Sequence, residues 1–146
     1  MKITIGADHG GRKLKDAIVR HLEEKGITMT DIGTYSDDSV DFPSYAEEVS
    51  ERVIRGEADL GILCCGTGIG MSIAANKISG IRAAVVSDCF SAQATREHNN
   101  SNVLCLGERV IGESLALRIV DTWLEAEFLG GRHKRRLDLL EKLEQK

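Results

Sequence analysis

The chain has 146 residues, 42% of them hydrophobic, and a formal net charge of −4 at pH 7, which suits one globular domain with a sizeable core. The mild acidity excludes the basic footprint of a nucleic-acid binder, and no apolar run approaches the ~18 residues that a membrane span needs. The start, Met1-Lys2-Ile3-Thr4-Ile5, enters a strand pattern with no signal peptide, so a cytoplasmic protein is expected.

Lys2–Ala7 reads as a first strand, closed by the polar turn Asp8-His9-Gly10-Gly11. Leu14, Ala17, Ile18 and Leu22 then recur at helical spacing, and Gly26 stops that helix. His21, between Arg20 and Leu22, reads as a surface residue without a role. Residues 27–32 give a second strand and residues 33–41 a polar loop. Pro43, the only proline, fits the start of a second helix whose inner face carries Tyr45, Val49 and Val53. Residues 58–64 give a third strand, and a glycine run then opens a short helix that ends near Lys77.

Residues 81–86 predict a fourth strand, whose Ala-Ala-Val-Val run reads as buried on both faces. A helix over 88–98, a short strand over 103–106 and an amphipathic helix over 113–127 follow. Gly130-Gly131 breaks the chain before a last helix from Arg132 to about Leu143. Strands and helices alternate throughout, without repeats or linkers. The pattern predicts one domain over 1–146, an α/β fold with a five-stranded parallel sheet in a three-layer α/β/α sandwich, Rossmann-like in kind. In such sheets ligands bind beyond the carboxyl ends of the strands.

Cys64-Cys65-Gly66-Thr67-Gly68-Ile69-Gly70 stands at one of those ends. A glycine-rich turn into a helix gathers backbone N–H groups around one small volume, which suits an oxyanion or a phosphate, although a purely structural turn has the same look. A thiol in that position can ionise below its usual pKa of about 8.5 and act as base or nucleophile. The run is no Walker motif, because no Gly-Lys-Ser/Thr closes it, and its alternating glycines fit the dinucleotide fingerprint poorly. Of the four cysteines, Cys64, Cys89 and Cys105 read as small buried hydrophobes. Neighbours on a strand face opposite ways, so Cys64 and Cys65 should serve different ends. No spacing suggests a zinc site or a disulfide framework.

Arg132 and Arg136 lie one helical turn apart and share a face, fit to grip a phosphate or simply to be solvated. Lys134 and Arg135 point elsewhere and read as solvated. Arg109 is open between phosphate ligand and surface charge.

Taken together, Asp8-His9-Gly10, Gly33-Thr34, Asp41-Phe42-Pro43, Cys65 to Gly70, Ser72 to Lys77, Gly80 to Ala84, Arg96-Glu97-His98-Asn99 and Gly130-Gly131-Arg132-His133 resemble the ribose-5-phosphate isomerase B family. That family extends to allose-6-phosphate and galactose-6-phosphate isomerases, and the resemblance runs in order along essentially the whole chain. It implies an aldose–ketose isomerase that needs neither metal nor other cofactor and acts on a small sugar phosphate. It also implies a homodimer, or a homotetramer of paired dimers, with active sites shared between subunits and no nucleic-acid or membrane partner.

The family pattern gives Cys65 the role of the base moving a proton between C2 and C1. His98 becomes the acid–base group that opens the sugar ring. Asp8 and His9 bind substrate, Asp8 also belonging to the catalytic set. The backbone of Gly66, Thr67, Gly68, Ile69 and Gly70 holds the enediolate, and the Thr67 hydroxyl assists proton movement on the sugar oxygens. Asn99 contacts the sugar, while Arg109, Arg132 and Arg136 take the phosphate. His98, Asn99 and Arg109 are implied to come from the neighbouring subunit.

Two positions depart from the pattern: Phe42 stands where many relatives carry Tyr, and Cys64 where an aliphatic residue is more usual. Within the class, a hexose-6-phosphate substrate such as allose 6-phosphate is the rival reading, since one more carbon needs only a deeper pocket. The galactose branch fits His98 and Gly131-Arg132-His133 less well. From another class, a non-catalytic phosphate- or nucleotide-binding module of flavodoxin-like topology would need neither Cys65 nor His98. A cysteine phosphatase or thiol oxidoreductase would need a Cys-x5-Arg loop or a CxxC pair, and the chain has neither.

Overall fold

The computed structural model describes residues 1–146. Its elements in chain order are β1 (Lys2–Ala7), α1 (Arg12–Glu24), β2 (Thr28–Asp31), α2 (Phe42–Ile54), β3 (Leu60–Cys65), α3 (Ile69–Ala75), β4 (Ala83–Val85), α4 (Cys89–Asn99), β5 (Val103–Gly107), α5 (Glu113–Glu125) and α6 (Arg132–Glu144). All five strands pair in parallel, in the order β2-β1-β3-β5-β4. The expected three-layer sandwich is the observed one.

Alternation along the strands builds two cores, one on each face of the sheet. Ile3, Ile5, Leu60, Ile62, Cys64, Leu104 and Leu106 face α1 and α5, where they meet Leu14, Ile18, Leu22, Ile119 and Trp123. Leu63, Cys65, Val103 and Cys105 face α2 and α3, against Ala46, Val49, Met71 and Ala75. The two adjacent cysteines therefore lie in opposite cores, as strand alternation requires. α2 comes close to the sheet because Gly61 presents no side chain there: a Cβ would stand 2.6 Å from Val49 Cγ1.

β4 corrects the sequence expectation. It has three residues, lies at the sheet edge, and leaves Val85 43% exposed, so the run is not buried on both faces. Strand order decides this, and composition does not reveal strand order. The side-chain amide of Asn76 covers part of the open edge by donating to the Ala83 carbonyl at 3.0 Å and accepting from the Ala83 N–H at 2.8 Å.

His21 is also more engaged than expected. Its Nε2 lies 2.8 Å from Asp121 Oδ1, which also pairs with Lys25 at 2.7 Å, and the trio ties α1 to α5. Cys89 is only partly buried. Lys134, expected to be free, pairs with Asp138 one turn along α6.

Trp123 joins α5 to the turn before β5. It is fully buried, donates from Nε1 to Ser101 Oγ at 2.9 Å, and carries the Arg96 guanidinium over its ring at 5.7 Å. Trp123→Ala should cost about 3–5 kcal/mol, read as a lowered denaturant midpoint, with Trp123→Phe losing less. An unchanged midpoint for the alanine variant would mean that this contact does not anchor α5.

Candidate active site

The carboxyl ends of β1, β3 and β5 are adjacent in the sheet, and the loops leaving them are packed at distances only glycine allows. At Gly11 a Cβ would stand 2.4 Å from the carbonyl carbon of Cys64, and at Gly107 one would stand 2.6 Å from that of Thr67. Backbone hydrogen bonds lock the same three loops: Asp8 N–H donates to Cys64 O at 3.3 Å, Glu108 N–H to Cys65 O at 2.9 Å, and Arg109 N–H to Gly66 O at 3.0 Å.

Within that frame Gly68, at φ 80°, turns β3 into α3. The turn brings the Gly68 N–H back to Cys65 Sγ at 3.1 Å. Cys65 is 6% exposed, at the mouth of the loop. Its neighbours in the two cores are different: burial drives the thiols of Cys64 and Cys105 far up from their ordinary pKa, so both stay protonated. Thr67 is exposed and its Oγ1 accepts from the Ile69 N–H at 3.2 Å. Gly70 lies under the Phe42 ring, whose nearest atom is 3.0 Å from where a Cβ would be, so Phe42 roofs the loop without offering a hydroxyl.

Asp8 and His9 stand on the neighbouring loop. Asp8 Oδ1 accepts from the Gly10 N–H at 2.9 Å, leaving its second oxygen for other partners. His9 Nδ1 accepts from the Val40 N–H at 3.2 Å, which fixes the tautomer with its proton on Nε2. The Arg109 guanidinium covers Gly66 of its own chain, with Nη1 3.2 Å from that residue's Cβ position. Glu108, unmarked in the sequence, caps α1 across 94 residues by accepting from the Leu14 N–H at 2.7 Å.

His98 and Asn99 lie elsewhere. α4 runs antiparallel to the strands, so its last turn returns to their amino ends. There Arg82, before β4, donates from Nε to the carbonyls of Asn99 and Asn100, each at 3.1 Å, and Asn102, before β5, donates to Arg82 O at 3.0 Å. Cys65 is paired with Gly107 at the other end of β5. The two ends are separated by the length of that strand, roughly 15 Å for a five-residue run. α6 starts beside His98: the His133 ring stacks on it, with centroids 4.4 Å apart and planes at 13°. Arg132 and Arg136 belong to this second group.

The residues singled out from the sequence thus form two groups in one chain. Asp8, His9, Cys65 to Gly70 and Arg109 converge at the carboxyl ends. His98, Asn99, Arg132 and Arg136 converge at the amino ends, together with His133, to which the sequence assigns no task. Its signal was present, one residue after Arg132, but only folding shows which side chain it meets. No three His, Cys, Asp or Glu side chains gather as a metal site would, and no helix is long and apolar enough to cross a membrane.

An open parallel sheet with a thiol-bearing glycine loop at its strand ends defines an α/β enzyme for a small anionic substrate. The chain belongs to the Ribose/Galactose Isomerase family, whose model matches residues 3–140. It is 52% identical over 145 residues to ribose-5-phosphate isomerase B of Escherichia coli, covering 99% of this chain and 97% of that one. Its fold is similar to that of Clostridium thermocellum ribose-5-phosphate isomerase B, with TM-score 0.98, 53% identity and coverage of 99% and 98% of the two chains. It is similar as well to the Mycoplasma genitalium enzyme solved with bound ribulose 5-phosphate, with TM-score 0.94, 42% identity and coverage of 99% and 97%.

The close packing of the loops has a testable consequence. Gly107→Ala should force the Thr67 backbone aside, cost about 1–3 kcal/mol by denaturant midpoint, and displace the loop that holds Cys65. A variant of unchanged stability would show that the loop has slack at this contact.

Proposed function

We propose that this protein interconverts ribose 5-phosphate and ribulose 5-phosphate through a cis-enediolate, at a site made by two copies of the chain. The observation that carries the chemistry is the single thiol set at the loop mouth under a backbone N–H donor, with Cys64 and Cys105 held protonated in the cores. Family membership and the relatives' activity support the substrate.

Ribose 5-phosphate is a ring, and its C2–H cannot be removed until the ring opens. Opening breaks the C1–O4 bond, takes the proton of the anomeric hydroxyl and delivers one to O4. An imidazole can do both near neutral pH, which is the part given to His98. In the open chain the Cys65 thiolate takes the proton from C2. Charge moves onto O1, where the backbone N–H groups of Gly66 to Gly70 meet it; one such donor is worth about 3–4 kcal/mol of barrier. The Cys65 thiol then returns the proton to C1, while a proton passes from O2 to O1 with the help of the Thr67 hydroxyl. The electron pair of the broken C–H bond ends in the new C1–H bond, so no electron acceptor enters.

Asp8, His9 and Asn99 orient the sugar hydroxyls, and Arg109, Arg132 and Arg136 hold the phosphate away from the reacting carbons. That binding energy serves positioning. Two copies are needed because the Cys65 and His98 groups are a strand length apart in one chain, farther than a pentose phosphate reaches. The apolar side chains of Ile69 and Val85, exposed beside the loop, suit burial against a second copy. Four free cysteines, three of them buried, agree with a reducing cytoplasm.

Cys65→Ala should abolish turnover and still bind ribulose 5-phosphate in a titration, whereas Cys64→Val should turn over nearly normally. A dead Cys64 variant beside an active Cys65 variant would mean that the other thiol is the base. Mixing inactive Cys65→Ala and His98→Asn subunits should restore activity, because random pairing leaves roughly a quarter of the sites with both native groups. No recovery after subunit exchange would argue that each site draws both residues from one chain.

A further inference from the structure

The imidazole of His98 is half of a pair. His133, in the first turn of α6, stacks on it with ring centroids 4.4 Å apart and planes at 13°. His98 is exposed and His133 is buried, so the pair presents the outer ring to solvent and hides the inner one. The inner ring is held in place by the backbone around it. The His133 N–H donates to Gly130 O at 3.1 Å, and the Leu129 N–H donates to Glu97 O at 3.1 Å. The turn that starts α6 is thereby latched to the last turn of α4, one residue from His98.

We propose that His133 is a positioning residue for the ring-opening step, fixing the plane of the His98 imidazole from behind. This rests on the reading of His98 as the ring-opening acid–base group. The terminal torsion of a histidine is broad, so an exposed ring left alone samples many orientations. A flat partner on one face removes most of them and leaves the ring edge, with its nitrogens, turned toward the substrate. Proton transfer needs that edge at hydrogen-bond distance from the sugar oxygens, so orientation enters the rate directly.

The surroundings also disfavour a charge on the inner ring. Two charged imidazoles in face contact repel, which works against a proton on His133. The charged groups facing His133 are Arg132 and Arg136 on its own helix and Glu97 on α4. Burial first, and then His98, Arg132 and Arg136, push its pKa below the ordinary histidine value, against a smaller opposing pull from Glu97. The inner ring is thereby kept as an uncharged flat surface behind His98 near neutral pH.

The test uses the full-length protein and two readouts. Turnover of ribose 5-phosphate requires ring opening, whereas deuterium exchange from D2O into C1 of ribulose 5-phosphate, followed by NMR, requires only the thiol. His133→Ala should lower the first by about tenfold or more and leave the second within about twofold. His133→Phe restores a flat ring and should recover most of the turnover.

Equal loss of both readouts in the alanine variant, or a phenylalanine variant as slow as the alanine one, would overturn the positioning role. His98→Asn, run alongside, separates the role of His98 from that of His133. If it lowers both readouts equally, the ring-opening reading of His98 falls and the role of His133 falls with it. If it separates them and His133→Ala does not, only the role of His133 falls.

Discussion

Three loops meeting at glycine distance are the constraint on which the rest of this molecule depends. The parallel pairing of β1, β3 and β5 brings their carboxyl ends side by side, but pairing alone would leave the loops a side chain apart. Gly11 against Cys64 and Gly107 against Thr67 remove that space. Backbone then touches backbone, and the position of Cys65 is set by main-chain contacts on both sides. Chain held this way keeps the Gly68 N–H turned back onto Cys65 Sγ before any ligand arrives. Of the three arginines singled out from the sequence, only Arg109 reaches this loop, where its guanidinium covers Gly66; Arg132 and Arg136 stand apart from it.

A second constraint follows from helix direction. α4 leaves β4 at the carboxyl end of the sheet and must return to the amino end to start β5. His98 and Asn99, in its last turn, are carried away from Cys65 by the same geometry that makes the sheet parallel. α6 then attaches Arg132, His133 and Arg136 to that far group. Arg109 goes the other way: it follows β5 and covers Gly66 of its own chain, so within one chain it sits with Cys65 and not with His98. The family resemblance had implied that Arg109 arrives with His98 and Asn99. The three arginines are therefore divided between the two groups.

Local signals were legible wherever one residue type has one physical use. The apolar spacing of Leu14, Ile18 and Leu22, the helix start at Pro43 and the glycine run after β3 all appear in the structure near their expected places. The division of Cys64 and Cys65 between two cores followed from strand alternation alone. The misreadings share a different cause. The Ala-Ala-Val-Val run looked central because apolar residues mark a strand but not its rank in the sheet. His21 looked idle because its partner, Asp121, is 100 residues away. Glu108 and His133 gave no sign of their partners for the same reason.

The sequence by itself determined the order and type of the elements, the thiol at the end of β3 and, through motifs spread along the chain, the family. Those properties depend on neighbours a few residues apart, or on residue types that can be read singly. Only the tertiary structure decided that β4 is an edge, that His9 holds its proton on Nε2, that His98 rests on His133, and that the candidate residues form two groups a strand length apart. Each of these is a contact between distant segments, and such contacts are fixed by strand order and helix direction, which no local pattern encodes.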